Sequence, residues 1–310
     1  MIERTQIQGV IPPVVTPLQG DGETVNEPVV HQLIESLIRQ GVHGIFVGGT
    51  TGEVWTLDDE QWQRLVRASA ATCKGRVPLY AGVSSSSTAK AVRRARMAEE
   101  LGADVVVSLP PYYVPAAQSE IVRHFEALAA ASSLPVLVYQ FPAIAKVSVT
   151  LDTYVRLMAI PGVFGIKDSQ ADVTEFRQMV QVLRGGGQDA RLFLGSDTLT
   201  DVTVMLGGQG TVPTLGNIAA PWLVEAYEAA LAGDWVRSAA AQAKANALKR
   251  IYRPGSKVSF FRGVFAGIKC ALTLLGFEVG PTAAPMMPCN EEETRAIEMI
   301  LREEGLLKSV

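Results

Sequence analysis

Residues 44–73, "GIFVGGTTGEVWTLDDEQWQRLVRASAATC", change character twice in a short span. "GIFVG" is a nearly continuous apolar run, "GGTTGE" (48–53) is a glycine-threonine turn, and from 58 onward apolar residues recur at helical spacing, with Thr56 or Asp58 as the N-cap. A strand with no polar face suits a parallel sheet covered by helices better than a sheet with one wet side. The stretch therefore reads as one βα unit. The same rhythm returns at "GVIPPVV", "PLYAGV", "DVVVSL", "PVLVYQF", "FGIK", "RLFLGS" and "GTVPT", with amphipathic segments at 27–40, 86–101, 119–132, 150–159 and 172–184. Eight such units in about 230 residues predict a (β/α)₈ TIM barrel. A doubly wound open sheet would want GxGxxG after the first strand, and "PPVVTPLQGDG" does not supply it.

Beyond residue 233 the strand signals stop. Segments 234–252, 257–276 and 290–304 read as helices separated by "RPGSK" and "FEVGPTAAPMMP". The expected division is a barrel catalytic domain over 1–233 and a C-terminal helical region over 234–310. With 310 residues, 48% of them hydrophobic, the chain can bury a large core. Its net charge of -3, spread without long runs of one sign, excludes an electrostatic footprint for nucleic acid or anionic lipid. "MIERTQIQGV" lacks the features of a signal peptide and no apolar run is long enough for a membrane span, so a cytoplasmic protein acting on small molecules is expected. Cys73, Cys270 and Cys289 have no CxxC or CxH spacing, and His31, His43 and His124 fall away from the strand ends. Neither a metal site, a disulfide frame nor a histidine triad is expected, and no cofactor is called for.

In such a barrel the reacting groups sit at the C-terminal strand ends. That rule gathers "GGTTGE", "GVSSSST", "PPYYVP", Tyr139, Lys167 and "GSD" (195–197) at one mouth. A lysine ending a strand is ordinarily a solvated surface charge. Lys167, projecting into the mouth, would instead be partly desolvated, and desolvation lowers the pKa of its ammonium. The neutral amine can form a Schiff base with a 2-oxo acid, which then serves as an electron sink without metal or cofactor. Tyr139, one strand earlier, is placed to move the protons. Gly49 and its neighbours expose backbone N–H groups and Thr50 and Thr51 add hydroxyls, a nest for the substrate carboxylate. "RGGGQD" and "LGGQGTVP" suggest a phosphate site of the kind barrels build after strands seven and eight. Arg253, Lys257 and Arg262 are expected on the helical region, where solvation or an oligomer contact explains them as well as effector binding would.

The motifs "GIFVGGTTGEVWTL", "YAGVSSSSTAKAV", "PPYYVP", the Tyr139 strand, "GIKDS" and "GSD", in this order and spacing, resemble the pyruvate-dependent class I lyases that include dihydrodipicolinate synthase, N-acetylneuraminate lyase and 2-keto-3-deoxygluconate aldolase. The resemblance runs over nearly the whole chain and implies a (β/α)₈ barrel with C-terminal helices, assembled as a homotetramer. It implies Lys167 as the Schiff-base lysine, Tyr139 as the proton-shuttling tyrosine, and Thr51 as the binder of the pyruvate carboxylate. Thr50 and Tyr113 match the rest of the relay, Tyr113 reaching into a neighbouring protomer's site, and Val212 matches a position whose backbone faces pyruvate. One departure concerns the second substrate. The synthases carry an arginine two residues past the proline that follows their tyrosine, and "YQFPAIAK" puts Ile144 there, with Gln140 and Ala145 also differing from common choices. An uncharged, hydroxylated aldehyde held by Gln140 and the serines at 84–87 is therefore expected, as in cleavage of a 2-keto-3-deoxy sugar acid. The alternatives are synthesis of 4-hydroxy-tetrahydrodipicolinate from pyruvate and aspartate semialdehyde, dehydration of a deoxy sugar acid through the same Schiff base, and an idle relative that senses a 2-oxo acid.

Overall fold

The computed structural model describes residues 6–307, so the start read for a signal peptide lies partly outside it. Eight strands form one parallel sheet: β1 (Gly9–Val10), β2 (Ile45–Val47), β3 (Leu79–Gly82), β4 (Val105–Ser108), β5 (Val136–Gln140), β6 (Val163–Asp168), β7 (Arg191–Leu194) and β8 (Gly210–Thr211). Each pairs with the next in sequence from β2 to β8, and β8 pairs with β1. Pro12 and Pro13 have no N–H to give and cut β1 short. The chain continuing past them still closes the ring, because Phe46 donates to the Pro12 carbonyl at 3.1 Å and Val14 donates to that of Phe46 at 2.8 Å.

Two cores follow from the period-two alternation of strand side chains. Phe46, Tyr80, Val105, Val107, Leu137 and Phe193 fill the barrel, while Ile45, Val47, Val106, Val136 and Val138 face outward against the helices. The helices begin where the sequence offers an acceptor. Asp58 caps Asp59–Cys73, Thr150 caps Leu151–Met158 and Asp172 caps Val173–Gly185, each side chain accepting from backbone N–H groups of the first turn. Asp58 takes the cap, not Thr56, whose hydroxyl turns back to the Glu53 carbonyl at 2.8 Å.

The later helices are Trp235–Leu248, Phe260–Leu274 and Glu291–Glu303. Arg262 is not in solvent: it is buried within the chain, with both guanidinium ends on the Glu293 carboxylate at 2.5 and 2.6 Å. "RGGGQD" and the glycines of "LGGQG" precede β7 and β8, so they lie at the barrel face opposite the mouth and cannot serve as its phosphate site. No described helix is long and apolar enough to cross a membrane.

Candidate active site

Lys167 owes its direction to an irregularity. Along β5 and β6 the register pairs Val136 with Val163 but Leu137 with Gly165, one residue being extra on β6. Without that bulge the alternation would turn Lys167 onto the helix side of the sheet; with it, Lys167 pairs beside Tyr139 and both point inward. Gly165 makes the bulge possible, since a Cβ there would run into the Arg191 carbonyl.

Lys167 is 3% exposed and lines a cavity of about 330 Å³ with Thr50, Thr51, Tyr139, Ser169 and Val212. Burial pushes its ammonium down to about 7. Its Nζ lies 3.9 Å from the centroid of the Tyr139 ring and 4.9 Å from that of Phe46. These π faces favour the charged form, yet among the described residues no carboxylate pairs with the amine. Desolvation therefore wins. The neighbouring carboxyl, Asp168, faces the other side of the strand and is itself raised to about 6 by burial.

The Tyr139 hydroxyl lies 3.3 Å from Thr50 Oγ1, and burial raises its pKa against the opposing hydrogen bonds of Thr50 and Ser169. Thr51 Oγ1 lies 3.1 Å from Thr214 Oγ1 in the loop after β8, beside Val212. The "GGTTGE" turn that carries both threonines is anchored from behind. Glu53, left-handed at φ 52°, ion-pairs through Oε1 with Lys269 at 2.7 Å and accepts from the Ala283 N–H at 2.8 Å through Oε2. Glu53 thus bonds backbone as a supporting residue should, but its main partner is a buried lysine that no local pattern announces. On the far side, Asp197 accepts from the Leu215 N–H at 2.8 Å and the Tyr252 hydroxyl at 2.9 Å, tying the β8 loop to the later helices.

Two expected residues stand elsewhere. Tyr113 is 88% exposed at φ 82° and lines neither cavity at the mouth, whereas Tyr112 is half-buried and lines one of them. Gly49 faces a second cavity, also about 330 Å³, that adjoins the first through Thr50, Tyr139, Phe261 and Phe265. Sequence patterns did not give the aromatic cover of the mouth, which Phe261 and Phe265 bring from the helix Phe260–Leu274 and Phe141 from the end of β5. Gln140 faces away from the mouth and accepts from the Val149 N–H at 3.2 Å; it cannot hold the hydroxyls of a substrate inside the barrel. Lys146 is exposed and folds its ammonium onto the Ala143 carbonyl at 2.8 Å. The histidines are dispersed, with His124 buried against Thr88 and pushed down to about 4 and His43 packed on Tyr227. Among the described residues no cluster of side chains could hold a metal ion.

Residues 6–304 match the model of the Dihydrodipicolinate synthetase family. The 4-hydroxy-tetrahydrodipicolinate synthase of Phenylobacterium zucineum is 35% identical over 300 residues, covering 97% of this chain and 98% of the relative. The dihydrodipicolinate synthase structure from Bacteroides thetaiotaomicron superposes with a TM-score of 0.89 at 33% identity, covering 96% of this chain and 98% of that one. YagE, a prophage protein of E. coli K12 solved in complex with pyruvate, gives 0.89 at 27% identity, covering 97% and 99%. A parallel eight-stranded barrel with a buried lysine and tyrosine at its mouth, matched in this way, defines a pyruvate-dependent carbon–carbon lyase. The chain belongs to the Dihydrodipicolinate synthetase family.

Proposed function

We propose that the chain is a Schiff-base class I aldolase of pyruvate or a closely related 2-oxo acid. Neutral Lys167 attacks the C2 carbonyl, and loss of water leaves an imine whose C3 proton can depart to give an enamine. Tyr139, polarised by Thr50, carries protons for carbinolamine and enamine; Thr51 and the backbone at Val212 hold the carboxylate end. Tyr113, exposed on its left-handed turn, completes the relay of a neighbouring copy in a homotetramer. The observation that carries this reading is the buried amine of Lys167, with a pKa near 7, set against the ring of a tyrosine on the adjacent strand. A mere sensor of 2-oxo acids would have no use for such a nucleophile.

The relatives' names suggest aspartate semialdehyde as the second substrate. Its carboxylate would need a cation, and a charge-assisted contact of that kind contributes about 1.5–3 kcal/mol. Ile144 gives no donor, and Lys146 is turned to the Ala143 carbonyl. Lys249 lines the first cavity, but it is exposed at the rim, where its charge already bears on Asp197. An uncharged aldehyde is the better partner, as in reversible cleavage of a 2-keto-3-deoxy acid to pyruvate and an aldehyde. Dehydration of a deoxy acid uses the same residues and separates from cleavage by its products alone.

Enamine formation can be read without knowing the aldehyde. Pyruvate incubated with the protein in D₂O should exchange its methyl protons, seen as loss of the methyl NMR signal. Because the reactive form is the neutral amine, the rate should rise by about tenfold per pH unit below 7 and flatten above it. Absence of exchange, or a rate that falls as pH rises from 5 to 7, contradicts the proposal.

A further inference from the structure

We infer that the second cavity is the acceptor subsite, and that it takes an aldehyde whose body is aromatic or compactly apolar, not a polyhydroxylated chain. The inference rests on the Schiff-base reading above and names its partner substrate. The cavity shares Thr50, Tyr139, Phe261 and Phe265 with the Lys167 cavity, so a chain leaving the enamine carbon enters it directly. Ile144 stands in its wall with Val54, Trp55, Leu109 and Met286, and no charged side chain lines it.

Its polar side-chain groups are few, and those of Ser84 and Thr50 are already engaged, which leaves the Tyr112 hydroxyl and the Trp55 indole N–H to meet a substrate. Ser84 Oγ accepts from the Leu109 N–H at 2.9 Å and Thr50 Oγ1 is paired with Tyr139. A polyol entering here would give up more hydrogen bonds to water than these two groups return, which is costly for each buried hydroxyl left unpaired. Aromatic faces are instead abundant: Trp55 and Phe265 are 5.8 Å apart between centroids and Phe265 and Phe261 5.9 Å, and the rings of Tyr112 and Tyr139 stand in the same wall. Aromatic groups at these separations gain from edge and offset contacts beyond area alone. Size is sufficient as well, since an apolar cavity of about 150 Å³ already takes benzene.

The step balances within the two substrates. The enamine C3, having lost one proton, forms a bond to the aldehyde carbon, the carbonyl π pair moves to oxygen, and that oxygen takes a proton. The water released on imine formation is restored on hydrolysis, giving a 4-hydroxy-2-oxo acid that keeps the apolar group on C4. Read in reverse, the same step cleaves that acid.

The test compares kcat/KM for benzaldehyde, glyceraldehyde and aspartate semialdehyde at fixed pyruvate, with methyl exchange of pyruvate in D₂O followed on the same wild-type preparation. Benzaldehyde should lead both others by about 10- to 100-fold, the range that burial of one aromatic ring supplies, and Ile144→Arg should erase that lead. A lead below tenfold, with exchange intact, overturns the aromatic subsite and leaves the Schiff base standing. A cavity filled by a second copy of the chain would give that same result. Absence of exchange overturns both.

Discussion

Lys167→Ala is expected to lower turnover by about 10⁴-fold or more, the scale on which loss of a covalent nucleophile is felt. The fold should survive, because the deleted ammonium has no carboxylate partner among the described residues and was desolvated at a cost. A melting temperature no lower than wild type, together with lost methyl exchange, would separate chemistry from folding. Lys167→Arg should fail as well: the charge is kept, but a guanidinium stays protonated and does not attack a carbonyl at neutral pH. An alanine variant within tenfold of wild type would remove the amine from the reaction.

Tyr139→Phe should slow turnover by about 10² to 10⁴, the contribution of a positioned proton donor. The phenyl ring can still pack on Phe141 and still face the Lys167 amine, so what is lost is the hydroxyl shared with Thr50. Pyruvate binding should change little, and the loss should fall on kcat. A variant within a few-fold of wild type would shift the relay to Thr50 and to Tyr113 from a neighbouring copy.

Much of this architecture could be read locally. Eight apolar runs followed by helical spacing required parallel strands, and the rule that reacting groups sit at strand ends brought Lys167, Tyr139, Thr50 and Thr51 to one mouth. Gln140 could have been placed as well: with Tyr139 facing in, a period of two turns its neighbour out. What stayed hidden depends on pairs far apart in sequence. The bulge that aims Lys167 is a register shift between β5 and β6, and Gly165 was its one visible trace. Glu53 meets Lys269 across more than two hundred residues, and Arg262 meets Glu293 from another helix. The acceptor side is the extreme case. Trp55, Tyr112, Ile144, Phe265 and Met286 converge from five separate segments, so Ile144 on its own announced the missing cation but not the apolar wall that surrounds it.

The Schiff base itself can be fixed in place. Borohydride reduction in the presence of pyruvate should irreversibly inactivate the protein and leave one reduced adduct on the peptide containing Lys167, found by mass spectrometry. A label on another lysine, or no label while turnover continues, would contradict the mechanism.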